Sequence, residues 1–166
     1  MKKFIKELIP YVIIVIIVVT FRTFIATLAI VDGKSMDDTL KDGNMVIINK
    51  ILLKTSKIER FDIVVIENKN DSDKIIKRVI GLPNEKIEYK DNILYINGKE
   101  VKLEAGLSFE DTEDFTATTK EGEYFVLGDN RDVSKDSRYF GNFTIDDISG
   151  MVDFRFYPFD KIGFVK

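Results

Sequence analysis

The sequence predicts a mostly β protein, in which an antiparallel β-sheet domain follows one N-terminal transmembrane helix. An almost uninterrupted apolar run covers residues 8–30. After it, short runs of β-branched and aromatic residues alternate with Gly, Asn and Asp turn signals. Among these runs, the pairs Asp91-Asn92 and Asn97-Gly98 are typical of tight hairpins with positive φ at the turn. Together these observations indicate a small β-sheet domain attached to a membrane segment.

Residues 8–30 are long enough to cross a bilayer, because a helix rises about 1.5 Å per residue and the hydrocarbon core is about 30 Å thick. The charge within the run, Arg22, lies past its midpoint, where the cost of a membrane charge is reduced. Lysines at positions 2, 3 and 6 precede the run, and acidic residues follow it. This asymmetry predicts a cytoplasmic segment 1–7 and an exported β-rich domain 31–166, in a protein that crosses the cell membrane once.

Two other interpretations of this segment stay open at the sequence level. A cleaved signal peptide has the same basic start and apolar run, and Thr27-Leu28-Ala29 fits a small-residue cleavage site. Alternatively, the run after Arg22 lies in the bilayer interface rather than in the hydrocarbon. A buried core helix is disfavoured, because residues 11–21 have no polar face at helical spacing.

Strands are predicted throughout the exported domain from alternation with a period of two. They cover residues 45–48, 62–67, 74–80, 86–89, 93–96, 124–127 and 151–157. Residues 86–101 are predicted to form a small meander through the two tight turns. The stretch 104–123 is rich in Glu, Asp and Thr with little periodicity, which indicates a surface loop or weak edge structure.

The composition excludes several classes of chemistry. The chain has no cysteine and no histidine, so thiol nucleophiles, disulfides and imidazole bases are ruled out and a catalytic base must be Lys, Asp, Glu or Tyr. A formal net charge of -3 argues against a nucleic acid partner. No metal or cofactor is predicted, because EF-hand spacing is absent and Arg131, Lys135 and Arg138 interleave with the nearby carboxylates.

The first candidate for chemistry is Ser35, which lies just outside the predicted membrane segment and two residues after Gly33. A glycine there permits unusual dihedral angles and close backbone approach, both useful for presenting a hydroxyl or an oxyanion-binding amide. The structural alternative is a turn or helix-cap serine.

The second candidate is Lys77, which interrupts an apolar strand and shares a face with Ile75 and Val79. Burial disfavours the ammonium, and a neutral amine is what a general base must be. To act near neutral pH, the lysine pKa must fall by about 2 to 3 pH units from its ordinary value. The alternative is an edge-strand lysine that prevents aggregation.

The third candidate is the polar run 128–141, which follows the predicted strand 124–127. Asp136 and Arg138 are predicted to form an orienting ion pair, and Ser134 is placed to exchange a hydrogen bond with a base. Taken alone, the run is typical of a solvated polar loop.

In this order, the three segments resemble the motifs of type I signal peptidases, in particular the small single-anchor form of Gram-positive bacteria. The nucleophile motif Ser-Met-x-Pro-Thr-Leu aligns with residues 35–40, and the base motif Lys-Arg-Val-Ile-Gly with residues 77–81. Residues 60–65 resemble the Arg-Gly-Asp-Ile-Val motif, and residues 128–138 match the last motif with one change. The resemblance spans nearly the whole chain and implies the antiparallel β-sheet catalytic domain of that family.

The resemblance also implies roles for individual residues. Ser35 would be the nucleophile, with Met36 beside it in the motif, and Lys77 would be the general base. Ser134 would steady the lysine amine, and its loop would be braced by the ion pair of the third candidate.

The oxyanion would be bound by the backbone amide of Ser35. Gly33 occupies the position at which some members of the family place a serine hydroxyl as a second oxyanion donor, which leaves a backbone group or a water as the alternatives for that donor here.

Three positions depart from the family pattern: Asp38 replaces the usual proline, Gly43-Asn44 replaces Gly-Asp, and Val133 replaces an asparagine. An additional carboxylate near Ser35 is expected to raise the lysine pKa if Asp38 faces the site. Activity would then shift to higher pH.

The implied function is removal of signal peptides from secreted preproteins, after small residues at Ala-x-Ala-like sites, through an acyl-enzyme. The implied partners are preproteins and the lipid bilayer, in the vicinity of the secretion translocon, without a cofactor or nucleic acid. The alternative is a degenerate membrane-tethered β domain that binds exported chains without cleaving them.

Overall fold

The computed structural model describes residues 2–67, 74–102 and 112–165. The helices are α1 (Lys2–Phe24), α2 (Lys50–Thr55) and α3 (Ser137–Phe140). The strands are β1 (Ala26–Ile30), β2 (Met45–Asn49), β3 (Ile63–Glu67), β4 (Lys74–Gly81), β5 (Lys86–Lys90), β6 (Ile93–Ile96), β7 (Lys99–Glu100), β8 (Phe115–Thr118), β9 (Glu123–Leu127), β10 (Phe143–Thr144), β11 (Ile148–Tyr157) and β12 (Gly163–Phe164). Short 3₁₀ turns cover Ile145–Asp147 and Phe159–Lys161.

Two antiparallel sheets make up the β domain. The larger sheet has the strand order β1-β2-β11-β3-β4-β9-β10, with β12 paired to β11, and the smaller has the order β7-β6-β5-β8. Neighbouring strands of the larger sheet that are far apart in sequence include β2 and β11, and β4 and β9. Since β4 lies between β3 and β9, it is an internal strand, and a lysine on it is not an edge-strand lysine.

Three apolar clusters hold the sheets together. One lies around the smaller sheet and includes Ile87, Tyr89 and Phe125. The second packs residues just after β1, including Met36 and Leu40, against the larger sheet. The third includes Val64 of β3, Val79 of β4 and Val126 of β9. The second cluster positions the chain around Ser35, because Met36 and Leu40 are fully buried on either side of a turn.

The structure confirms every strand that alternation predicts, with bounds that differ by up to three residues. The meander is also confirmed, because β5, β6 and β7 pair in sequence order. Its turns have the predicted positive φ, at 50° and 63° for Asp91 and Asn92 and at 51° and 75° for Asn97 and Gly98.

The N-terminal segment needs a correction, because the helix predicted for residues 8–30 ends at Phe24. Residues 26–30 form β1 instead and pair with β2, from Ala26 opposite Asn49 to Ile30 opposite Met45. A short apolar run fits a helix or a strand equally well by periodicity, and pairing with β2 decides in favour of the strand. None of the helices within the described residues is both long enough and apolar enough to span a bilayer.

The prediction of a loop over residues 104–123 is partly replaced by structure. Residues 115–118 form β8, an edge strand of the smaller sheet that pairs with β5. Edge structure is one of the two outcomes that the composition predicted. The part of this stretch up to residue 111 lies outside the described residues.

Candidate active site

Ser35 lies in a compact turn over residues 34–40, which we call the Ser35 turn. The amides of Thr39 and Leu40 both donate to the carbonyl of Met36, at 2.9 and 2.6 Å. The buried side chains of Met36 and Leu40 hold the turn against the larger sheet. Ser35, which directly precedes Met36, is half-buried. The turn thus holds the half-buried Ser35 hydroxyl next to the fully buried side chain of Met36.

Gly33 leads into this turn in the conformation that its residue type favours. Its φ is +91°, in the left-handed region, and its amide donates to Asp42 Oδ1 at 2.9 Å. No atom lies within 4 Å of where a side chain would begin, so the requirement is one of backbone conformation rather than of space.

Lys77 reaches Ser35 from the centre of β4. Its Nζ donates to Ser35 Oγ at 2.7 Å, across 42 positions in the sequence. The side chain is only 2% exposed, as alternation predicted. Burial lowers the pKa of Lys77 from 10.5 to about 8, against the opposing effects of the Asp136 and Asp129 carboxylates. Near neutral pH, the site therefore contains an appreciable fraction of neutral amine beside a hydroxyl.

Asp136 and Arg138 form the predicted ion pair. Arg138 Nε donates to Asp136 Oδ1 and Nη2 donates to Oδ2, both at 2.9 Å. Asp136 is fully buried, and its Oδ2 also accepts the Gly128 amide at 3.0 Å. Burial would raise the pKa of Asp136, but the hydrogen bonds from Arg138 and Gly128 outweigh it and hold the pKa below its usual value. Asp136 is therefore a charged brace between β9 and α3.

Ser134 lies close to Ser35, with Gly128 between them. A side chain at Gly128 would begin 2.5 Å from the Ser35 carbonyl oxygen and would overlap Ser134 Oγ. Ser134 contributes to the low pKa of Asp136. Its buried Oγ nevertheless has no partner in hydrogen-bonding geometry among the described residues, so the hydrogen bond to the lysine amine that the resemblance implies is not formed here.

A buried network beside the site was missed by sequence reasoning. Arg78 is fully buried and donates from Nε and Nη2 to the two oxygens of Asp129, at 2.8 and 2.7 Å. Thr39 Oγ1 accepts from Arg78 Nη2 at 2.9 Å and donates to Asp129 Oδ2 at 2.6 Å. The network thus ties the Ser35 turn to β4. An adjacent Lys-Arg pair inside an apolar strand was the available signal, since one of the two must face each side of the sheet.

Two backbone features of Ser35 also bear on its chemistry. Its carbonyl accepts the Asn130 amide at 3.1 Å, which fixes the peptide group. Within the described residues, its own amide donates to no acceptor.

The departures at positions 38 and 133 carry exposed side chains. Asp38 is exposed and is not among the carboxylates that raise the pKa of Lys77, which are those of Asp136 and Asp129. The expected shift of the lysine pKa by Asp38 is therefore not supported. Val133 is 59% exposed and leaves the ion pair of its loop intact.

Comparison with known proteins identifies the family. The family described as signal peptidase, peptidase S26, matches residues 2–157. The chain belongs to this family. It is 43% identical to the signal peptidase I of Bacillus caldolyticus, over 93% of this chain and 92% of that one. It is 41% identical to the signal peptidase IB of Staphylococcus aureus strain MRSA252, over 96% of this chain and 94% of the relative.

A solved structure agrees with this family assignment. The crystal structure of a signal peptidase I from Enterococcus faecalis V583 is similar with a TM-score of 0.52 and 40% sequence identity. The match covers 58% of this chain and 97% of the other. The antiparallel β domain is therefore the fold of the family, as the resemblance in the sequence implied.

Proposed function

We propose that this chain is a signal peptidase I that removes signal peptides from exported preproteins, with Ser35 as the nucleophile and Lys77 as the general base. The observation that carries the proposal is the 2.7 Å hydrogen bond between Lys77 Nζ and Ser35 Oγ at a buried lysine. Relatives named signal peptidase I, 41 to 43% identical over most of the chain, support the reaction. A lowered lysine pKa supports the assignment of the base.

The proposed reaction is acyl transfer in two halves. Neutral Lys77 takes the Ser35 proton while Oγ attacks the scissile carbonyl, and the new ammonium then protonates the departing amine. Lys77, neutral again, takes a proton from a water that attacks the ester, and Ser35 regains its proton when the ester breaks. One residue serves as base and acid in both halves, so the reaction needs no imidazole.

Within the part of the chain that the structure describes, the Ser35 amide donates to no acceptor, which supports a role as the oxyanion donor. A preorganised backbone N–H stabilises the negative charge that develops on the carbonyl oxygen. The Asn130 hydrogen bond to the Ser35 carbonyl fixes the orientation of that region. Gly33 supplies conformation but no hydroxyl, so this amide is the donor that we assign.

We assign the positioning of Lys77 to the charged residues around it. The Asp136–Arg138 pair braces the loop that holds Ser134 next to Gly128. Asp129, bound by Arg78, keeps the lysine pKa from falling as far as burial alone would take it. We assign Ser134 to contact with the amine once a substrate is bound, since its buried Oγ has no hydrogen bond of acceptable geometry among the described residues.

The membrane is the location that we propose for this reaction. Apolar side chains of α1 from Leu8 to Val19 are 43 to 67% exposed, and Leu28 and Ile30 on β1 are 57% and 68% exposed. Such a surface is costly in water and favourable in a bilayer. We assign residues 8–24 to a signal anchor, residues 1–7 to the cytoplasm and residues 25–166, which begin just before β1, to the exported peptidase domain, close to the translocon that delivers preproteins.

Cleavage of a preprotein with an Ala-x-Ala site tests the function. The full chain in detergent is expected to cut after the second alanine, and Ser35→Ala and Lys77→Met are expected to lose activity. Lys74→Met is the matched control, because Lys74 lies on the same strand with an exposed side chain paired to Glu67. A wild type that binds the preprotein without cutting it at any pH from about 7 to 10, around the lysine pKa range, would establish the degenerate binding domain instead.

A further inference from the structure

The guanidinium of Arg155 on β11 bridges two segments that are far apart in sequence. Its Nη1 donates to the Thr39 carbonyl in the Ser35 turn at 2.9 Å, across 116 positions. Its Nε donates to the Lys161 carbonyl at 2.7 Å, in the 3₁₀ turn near the end of the described chain. Both acceptors are backbone carbonyls, so the contact depends on where the backbone lies and not on which side chains these positions carry.

A bulge in β11 directs Arg155 toward the Ser35 turn. Val152 pairs with Ile48 and Arg155 pairs with Val46, with the register shifted between Val152 and Phe154. Ile48 and Val46 share the buried face of β2, so Val152 and Arg155 lie on that same face although they are three residues apart. Strict alternation would have placed Arg155 on the opposite face. Bulges commonly re-aim a side chain in this way.

This face is the one against which the Ser35 turn packs. Met36, Leu40, Val46 and Val152 belong to one buried cluster, and the half-buried Arg155 lies on the same face of β11 as Val152. A guanidinium in such a position loses part of its hydration and needs acceptors in return. The Thr39 carbonyl is one of them, so the polar contact is directed at the turn itself.

Thr39 is joined to the site through each of its polar groups. Its amide donates to the Met36 carbonyl at 2.9 Å, next to Ser35. Its hydroxyl donates to Asp129 at 2.6 Å and accepts from Arg78 at 2.9 Å. A residue that fixes the Thr39 carbonyl therefore fixes the end of the Ser35 turn relative to the strand that carries Lys77.

We infer that Arg155 is a positioning residue, which holds Thr39 and thereby keeps Ser35 in register with Lys77. The inference rests on the proposed function for its kinetic consequences, but the geometric part of it is independent of catalysis. Arg155 touches neither Ser35 nor Lys77 in this role. It acts on them through the Ser35 turn.

Kinetics of substituted chains test the catalytic consequence. Arg155→Met keeps the length of the side chain and loses the donors, and kcat is expected to fall by about 10- to 100-fold with KM changed by less than about twofold, since a displacement near 1 Å has an effect of that order. The kcat of Arg155→Lys, which keeps one donor group, is expected to lie between the values of the wild type and of Arg155→Met. Lys54→Met, which removes an exposed charge on α2, is the control for loss of a positive charge.

A double variant distinguishes positioning from general support. If Arg155 acts through Thr39, then combining Arg155→Met with Thr39→Val gives a kcat close to that of the slower single variant. If Arg155 only secures the end of the chain, the two losses multiply, and the inference is overturned. A kcat within about twofold of wild type for Arg155→Met also overturns it.

Hydrogen exchange tests the geometric part without catalysis. Arg155→Met is expected to speed exchange of the Thr39 and Leu40 amides, which donate to Met36, by about tenfold or more relative to Lys54→Met. Unchanged exchange at these amides overturns the inference whether or not the chain is active. A wild type without peptidase activity contradicts the proposed function alone, because the exchange result still decides the role of Arg155. If Arg155→Met fails to fold, the same exchange comparison is made with Arg155→Lys, for which a smaller increase is expected.

Discussion

The ammonium form of Lys77 is disfavoured because the side chain is 2% exposed, and this fact links the stability of the protein to its chemistry. Burial lowers the pKa to about 8, while Asp136 and Asp129 hold it above the value that burial alone would give. A lysine in this condition is a poor structural residue and a suitable base.

The pH dependence of cleavage is the first consequence. Because the proposed reaction needs the neutral amine, kcat/KM is expected to rise with pH and to reach half of its plateau near the lysine pKa, at about 8. Asp129→Asn removes a charge that favours the ammonium, so the midpoint is expected to move to lower pH. A profile that is flat between pH 6 and 9, around the pKa of about 8, would contradict Lys77 as the base.

The stability of the folded chain is the second consequence. Because the folded pKa is depressed, the folded state binds fewer protons, and the cost of burying Lys77 is fully present below about pH 8 and disappears as the pH rises toward 10.5. At about 1.36 kcal/mol per pH unit, this cost is about 3 kcal/mol. Lys77→Met is therefore expected to raise the free energy of unfolding at pH 7 by up to that amount, and urea denaturation measures it. The gain should shrink between about pH 8 and 10; a variant that is less stable than wild type at pH 7 would show that the lysine is structurally favourable.

At the level of elements, the site is assembled from the centre of one strand and the segments that follow two others. The Ser35 turn follows β1, Lys77 lies on β4, and Gly128 follows β9. Gly128 is the point of closest approach, because an added side chain would meet both the Ser35 carbonyl and Ser134. The close packing leaves no room for adjustment.

Gly128→Ala is expected to lower kcat by about 100-fold, since it forces Ser35 and Ser134 apart by a displacement of the order that impairs catalysis. Gly150→Ala is the matched control: a side chain there would meet Ile48 in the core at 2.5 Å rather than the site. That variant is expected to lose stability without losing kcat per folded molecule. Thermal unfolding and kinetics on the same samples separate the two effects, and equal loss of kcat in both variants would contradict the role of Gly128.

For the whole molecule, α1 and β1 carry an exposed apolar surface that is not buried in the core of the β domain. None of the three buried clusters of the described chain includes a buried residue before Val31. The proposed bilayer location accounts for that surface, because it removes the apolar side chains from water.

Membrane extraction tests this location. The full chain is expected to stay with membranes at alkaline pH, and the double substitution Ile14→Asp with Val15→Asp is expected to release it, since a charge at the centre of a span costs about 2.5 to 3.5 kcal/mol. Val133→Asp, which adds a charge at another exposed valine, is the control. Extraction of the wild type under the same conditions would contradict a spanning anchor.

Local patterns alone determined much of this protein. Alternation located seven of the twelve strands in the described part of the chain, and Asn97-Gly98 located a hairpin turn, because both signals are carried by residues adjacent in sequence. The motifs around Ser35 and Lys77 pointed to the family, which the comparisons confirm. The pairing of Asp136 with Arg138 was also predictable, since the two residues are neighbours in one loop.

Only the tertiary structure decided the rest, because it depends on residues that pairing brings together from distant positions. Residues 26–30 form a strand because they pair with β2. The periodicity of the sequence gives no information about that pairing. Arg78 meets Asp129 across 51 positions, and Arg155 meets Thr39 only because a bulge changes the face on which it lies. The pKa of Lys77 likewise depends on burial and on carboxylates from another segment. Sequence fixes which groups are present, and strand register fixes which of them touch.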